Sequence, residues 1–75
     1  MRYSAMMARY AIFRGSQSAS GFFTDTVIDT TKPDMVDGTH YKDSEGRLYY
    51  EAVCECYSEE DAELVCRALN ALATQ

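Results

Sequence analysis

The stretch Arg47–Ala73, RLYYEAVCECYSEEDAELVCRALNALA, reads as a strand that runs directly into an amphipathic helix. Its first part, Arg47–Tyr57, alternates. Side chains of a strand point to opposite faces in turn, so Leu48, Tyr50, Ala52, Cys54 and Cys56 share one face, and Arg47, Tyr49, Glu51, Val53, Glu55 and Tyr57 the other. The first set carries no charge and is expected to face the core. Ser58 then ends the strand and is placed to N-cap a helix, with Asp61 where a capping box carries Glu or Gln. Glu59, Glu60, Asp61 and Glu63 crowd the first turns, where the helix dipole favours negative charge. Beyond them Ala62, Val65, Cys66, Leu69, Leu72 and Ala73 recur at the helical period and form one apolar stripe, with Asn70 off it. Glu63 lies four residues before Arg67, the favourable order for an ion pair along a helix.

Outward from this stretch, Asp43-Ser44-Glu45-Gly46 is a turn that returns a short strand, Thr39–Lys42, into the main strand. Asp37-Gly38 favours another turn, and Pro33 cannot donate to a ladder. Thr30–Gly46 spans seventeen residues, too many for a passive connection, so it is either an interaction loop or a segment pinned by Met35 and Val36. Phe22–Asp29 is strand-like. Phe23, Asp25, Val27 and Asp29 are expected to face outward, because buried unpaired carboxylates are costly, leaving Phe22, Thr24, Thr26 and Ile28 inward. Ala8–Arg14 is a first strand, with Tyr10 and Ile12 on one face and Ala11 and Phe13 on the other. Gly15–Gly21, GSQSASG, closes the hairpin between them. Residues 1–6 read as a flexible tail, and Met7 as an alternative start to Met1. The expected fold is α+β: a single domain over residues 1–75, with an antiparallel sheet of three or four strands and one C-terminal helix across one face.

A chain of 75 residues buries only ~60% of its unfolded surface, so support from self-association or a partner is expected. Three cysteines cannot all pair within one chain, and the N-terminal residues hold no uninterrupted apolar run of the signal-peptide kind. A reduced, cytoplasmic protein is the reading, with no membrane segment, since no apolar run approaches ~18 residues. The net charge of −5 is unevenly spread: residues 1–24 hold Arg2, Arg9 and Arg14 and no acid, whereas residues 25–75 hold all twelve acids against four bases. That distribution speaks against a basic patch gripping phosphates, hence no direct nucleic acid, and for carboxylates presented to a basic partner. An acidic surface also serves plain solubility.

Three cysteines and His40 raise a zinc site. Cys54 and Cys56 share a strand face ~6.5–7 Å apart, whereas sulfurs on one tetrahedral zinc sit near 3.8 Å, so a regular strand without a bulge cannot present both. All three are therefore read as small core residues, with no metal and no cofactor, and a thiol nucleophile lacks a nearby histidine. In DMVDGTHYKDSEG a calcium loop fails. Taking Gly38 as its glycine puts Pro33 and Ser44 at the end ligands, and taking Gly46 puts Tyr41 and Ala52 there. Glu51 with Glu55, or Asp25 with Asp29, would sit roughly 13 Å apart on a strand, beyond glycosidase spacing of up to about 9.5 Å. No phosphate-loop, dinucleotide or nucleophile-elbow motif is present, and no enzyme is expected.

What remains is a surface. Tyr49, Val53 and Tyr57 alternate with Glu51 and Glu55 on the outer side of the main strand, and Phe23 and Val27 with Asp25 and Asp29 on the second. An open sheet face carrying Asp25, Asp29, Glu51 and Glu55 among Phe23, Tyr49, Val53 and Tyr57 is the expected partner-binding site, because interfaces favour aromatics. In size, acidity and strand–helix plan the chain resembles small bacteriophage and prophage proteins, and YYEAVCECYSEEDAELVCRALN, Tyr49–Asn70, is similar to their C-terminal ends. Some such proteins are anti-CRISPR or other anti-defence inhibitors that occupy a nucleic-acid site with an acidic surface. The resemblance implies a non-enzymatic inhibitor in the host cytoplasm that binds a basic host protein. The alternative is a structural or regulatory homodimer whose open sheet face is its own interface.

Overall fold

In the computed structural model, which describes residues 8–17 and 22–73, the alternating runs form the expected α+β fold. Strands β1 (Tyr10–Arg14), β2 (Asp25–Pro33) and β5 (Tyr50–Cys56) make an antiparallel sheet in the order β1-β2-β5. Within the connection from β2 to β5, β3 (Met35–Val36) and β4 (Thr39–His40) pair as a small second sheet. Their turn is the expected one: Asp37 and Gly38 both have positive φ, 52° and 79°, which a tight hairpin of the mirror-image type requires. The helix α1 (Glu59–Ala73) closes the chain. The tail expected at residues 1–6 and the choice of start lie outside the described residues.

Register fixes which side chains share a face. Val27 is opposite Ile12 on β1 and Cys54 on β5, and these face α1. Val27, Cys56 and Ala62 form the buried centre, with Tyr10, Ile12, Cys54, Val65, Cys66 and Leu69 packed around it. Full burial of one such aliphatic side chain contributes ~1.5–3 kcal/mol, so this cluster anchors the helix. The stripe on α1 was legible as far as Leu69; Leu72 and Ala73 are exposed. The ion pair Glu63 makes is with Arg14 of β1, at 3.1 Å, rather than along the helix with Arg67.

Two expectations about β2 are overturned. Val27 is fully buried beneath α1, and Asp25 and Asp29 on the same face are each only 2% exposed. The expectation rested on these carboxylates having no partner. They have partners: Arg9 lies 2.8 Å from Asp29 and Arg14 3.4 Å from Asp25. The opposite face is not open either. Phe13, Thr26 and Ile28, its centre, are buried. The Tyr49 ring meets Phe13 edge-on at 5.0 Å, and the Arg47 guanidinium lies 4.1 Å over the same ring. Tyr41 packs edge-on against Tyr49 at 5.0 Å, so the connection folds back as a third layer. That connection is held by these aromatics and not by Met35 and Val36, which are exposed.

β5 also departs from strict alternation. Val27 pairs with Cys54 but Ile28 with Ala52, so Val53 is an extra residue, a β-bulge. Past the bulge the faces exchange. Ala52 and Leu48, expected inward, are exposed, and Tyr50 is half-buried with its ring edge-on to His40 at 4.9 Å.

Two carboxamides grip the outer strands. Asn70 accepts the Tyr10 N–H at Oδ1 (2.8 Å) and donates from Nδ2 to the Tyr10 carbonyl (2.9 Å). Gln17 does the same for Tyr50, accepting its N–H at 3.1 Å and donating to its carbonyl at 2.8 Å.

Candidate protein-binding surface

The four carboxylates expected on one face are distributed over three environments. Asp25 accepts from the Gly15 N–H (3.2 Å) and from Arg14 under the helix side of the sheet. Asp29 accepts from Arg9, from the Thr31 N–H (3.0 Å) and from the Thr31 hydroxyl (2.7 Å). The Arg9 guanidinium holds this carboxyl well below its usual range, and the Thr31 bonds add to the effect against the opposing cost of burial. Glu55 lies on the other face, half-buried, and accepts from Thr26 Oγ1 (2.6 Å) and Ser16 Oγ (2.8 Å). Glu51 is exposed and pairs with Lys32 at 3.4 Å. Asp25, Asp29 and Glu55 are thus structural acids, and a four-carboxylate face does not exist. Tyr49 is taken up by Phe13 and Tyr41, and Val53 stands exposed at the bulge.

The two remaining expected residues, Phe23 and Tyr57, come together at the other end of the sheet. Their rings are 4.9 Å apart, tilted by 38°. Tyr57 is nonetheless 69% exposed, and Phe22, next in the chain to Phe23, is 76% exposed. Immediately beyond Tyr57 the helix begins as expected, with Ser58 Oγ accepting the Asp61 N–H at 3.1 Å. This fixes Glu59, Glu60 and Asp61 in the exposed first turn. One turn on, Leu64 is also exposed. The β5–α1 junction therefore carries the solvent-facing Tyr57, three exposed carboxylates and one leucine within a short reach of chain, with Phe23 brought against Tyr57 from just before β2.

The reading of the sequence missed this junction in part. It took Glu59, Glu60 and Asp61 only as partners of the helix dipole and assigned Phe22 inward. The signal that was available is the consecutive pair Phe22-Phe23: on a strand, two adjacent aromatics cannot both face one core.

The three cysteines are free thiols, with Cys56 buried and Cys54 and Cys66 half-buried. Among the described residues no group of three or more His, Cys, Asp or Glu side chains is placed to hold a metal ion, and no helix is long and apolar enough to cross a membrane. No protein-family model, curated protein sequence or solved structure matches the chain.

Proposed function

We propose that this chain is a non-enzymatic binding protein that engages a basic surface of a host protein through the β5–α1 junction, in the manner of the phage-encoded anti-defence inhibitors it resembles. The observation that carries the reading is the 69% exposure of Tyr57 immediately before the acidic first turn of α1, with the Phe23 ring against it and Phe22, the next residue in the chain to Phe23, 76% exposed. Large exposed aromatics are the side chains that supply binding energy at interfaces, and carboxylates around them steer a cationic partner. A solvated helix start requires the acids but not the aromatics. The three free thiols suit a reducing cytoplasm. A homodimer closing over an open sheet face loses its support, since the third layer occupies that face.

The test starts from an affinity capture in the native host, followed by kinetics on the captured protein. Tyr57→Ser with Phe22→Ser is expected to raise the dissociation rate. Glu59→Gln, Glu60→Gln and Asp61→Asn together are expected to slow association and flatten its salt dependence. Removal of first-turn acids costs the helix ~0.3–1 kcal/mol each at most, so melting is followed alongside. Binding that is indifferent to both sets of changes, with folding retained, removes the junction from the interface.

A further inference from the structure

Cys54 and Cys56 are two apart on β5 and both face α1. In a regular strand that spacing separates side chains by ~6.5–7 Å. Here the two sulfurs stand 3.8 Å apart. They adjoin the bulge at Val53, and a bulged strand bends and twists beyond the regular pleat. The sequence-based objection to a shared ligand, that a strand without a bulge holds the thiols apart, therefore does not apply to this chain.

The surroundings define what such a pair can hold. Cys56 is 4% exposed against Val27 and Ala62, while Cys54 is half-buried, its closest other partner being the Glu55 carbonyl at 3.6 Å. Cys66 is committed elsewhere, donating to the Tyr10 carbonyl at 3.4 Å. The separation of 3.8 Å matches the edge of a tetrahedral thiolate site with metal–sulfur bonds of about 2.3 Å. Yet no third His, Cys, Asp or Glu among the described residues joins the pair. Zinc, which takes four ligands in a structural site, is left unsatisfied. A soft centre content with two sulfurs is not.

We propose that Cys54 and Cys56 form a two-thiol site for a soft, thiophilic centre of low coordination number, of which copper(I) and organic trivalent arsenic are the two chemical sources. Neither reaction changes an oxidation state. An arsenoso compound exchanges its oxygen for the two sulfurs, and that oxygen leaves as water with both thiol protons. Copper(I) binds the two sulfurs as thiolates and releases both protons to solvent.

The experiment uses the reduced, full-length chain with phenylarsine oxide in one arm and anaerobic copper(I) in the other, read by native mass spectrometry and by a count of free thiols. The expected result in at least one arm is a one-to-one adduct with two of the three thiols lost, abolished by Cys54→Ala and untouched by Cys66→Ala. Uptake in only one arm assigns the site to that source. Cys56→Ala is included with circular dichroism to check folding, and the half-buried Cys54 carries the test if that variant unfolds. No adduct in either arm, an adduct that survives Cys54→Ala in a folded protein, or one that requires Cys66, overturns the proposal.

Discussion

The carboxamide of Asn70 holds both the N–H and the carbonyl of Tyr10, so one side chain on α1 satisfies a full peptide edge on β1. From the helical period alone, Asn70 lies off the apolar stripe and its replacement should be nearly silent. The structure reverses that expectation. Asn70→Ala leaves the part-buried Tyr10 N–H without this partner and its carbonyl with only the weak Cys66 thiol donor, and is expected to cost ~1–3 kcal/mol. Leu69→Ala, at a half-buried position of the stripe, is expected to cost about 2 kcal/mol, the low end for a leucine. Urea midpoints of the two variants check this, and a silent Asn70→Ala would mean that water replaces the clamp. Asp29 gives a second prediction at this scale. Its carboxyl titrates lower when folded than when unfolded, so the unfolded chain binds more protons in acid. The stability it contributes is complete above the unfolded value of about 3.9 and is lost as pH falls towards the folded one. Asp43, lowered chiefly by the Arg47 N–H, acts in the same direction. Urea midpoints taken from about pH 5 to about pH 2.5 are expected to decline, and Asp29→Asn to flatten that decline while lowering the midpoint at neutral pH.

At the level of elements, α1 and its cap were legible because a 3.6-residue period, an N-cap serine and clustered acids agree with one another. The β3–β4 turn was legible because Asp-Gly has a distinct backbone preference. The faces of β2 were not. Its five residues Asp25–Asp29 are all buried, so neither alternating set could be recognised as the solvent side. The arginines that make Asp25 and Asp29 tolerable come from β1 and the residue before it, a pairing with no local trace. The bulge at Val53 was equally hidden, since one extra residue changes register without changing composition. Of the expected site residues, Tyr57 is exposed and Phe23 lies half-buried against it. The bonded settings of Asp25, Asp29 and Glu55 were not legible, because a charge alone does not say whether it is paired. The third layer supplies the prediction here. Tyr49→Ala removes the ring that covers Phe13, and is expected to destabilise by about 2 kcal/mol, comparable to Leu69→Ala on the opposite side of the sheet. A shift in the urea midpoint far below that of Leu69→Ala would mean that the third layer only rests on the sheet.

Across the whole molecule, charge is sorted by use. Arg9 and Arg14, from the acid-free N-terminal part of the chain, are spent on ion pairs with Asp29, Asp25 and Glu63, and of the first-turn acids Glu59 alone feels the Arg14 charge. The sheet has two outer strands, and each is gripped at its first residue by a carboxamide: Tyr10 by Asn70 and Tyr50 by Gln17. Such a clamp needs an oxygen at one end and an NH2 group at the other. Spontaneous loss of ammonia from Asn70 would replace that NH2 with a carboxylate oxygen facing the Tyr10 carbonyl, turning attraction into repulsion near the negative end of the α1 dipole. The protein would then age by a defined route, from deamidation at one side chain to an uncovered strand edge and from there to strand-by-strand association. Asn70→Asp reproduces the aged product, and light scattering of that variant against the parent chain, at equal concentration and neutral pH, is expected to show it aggregating first.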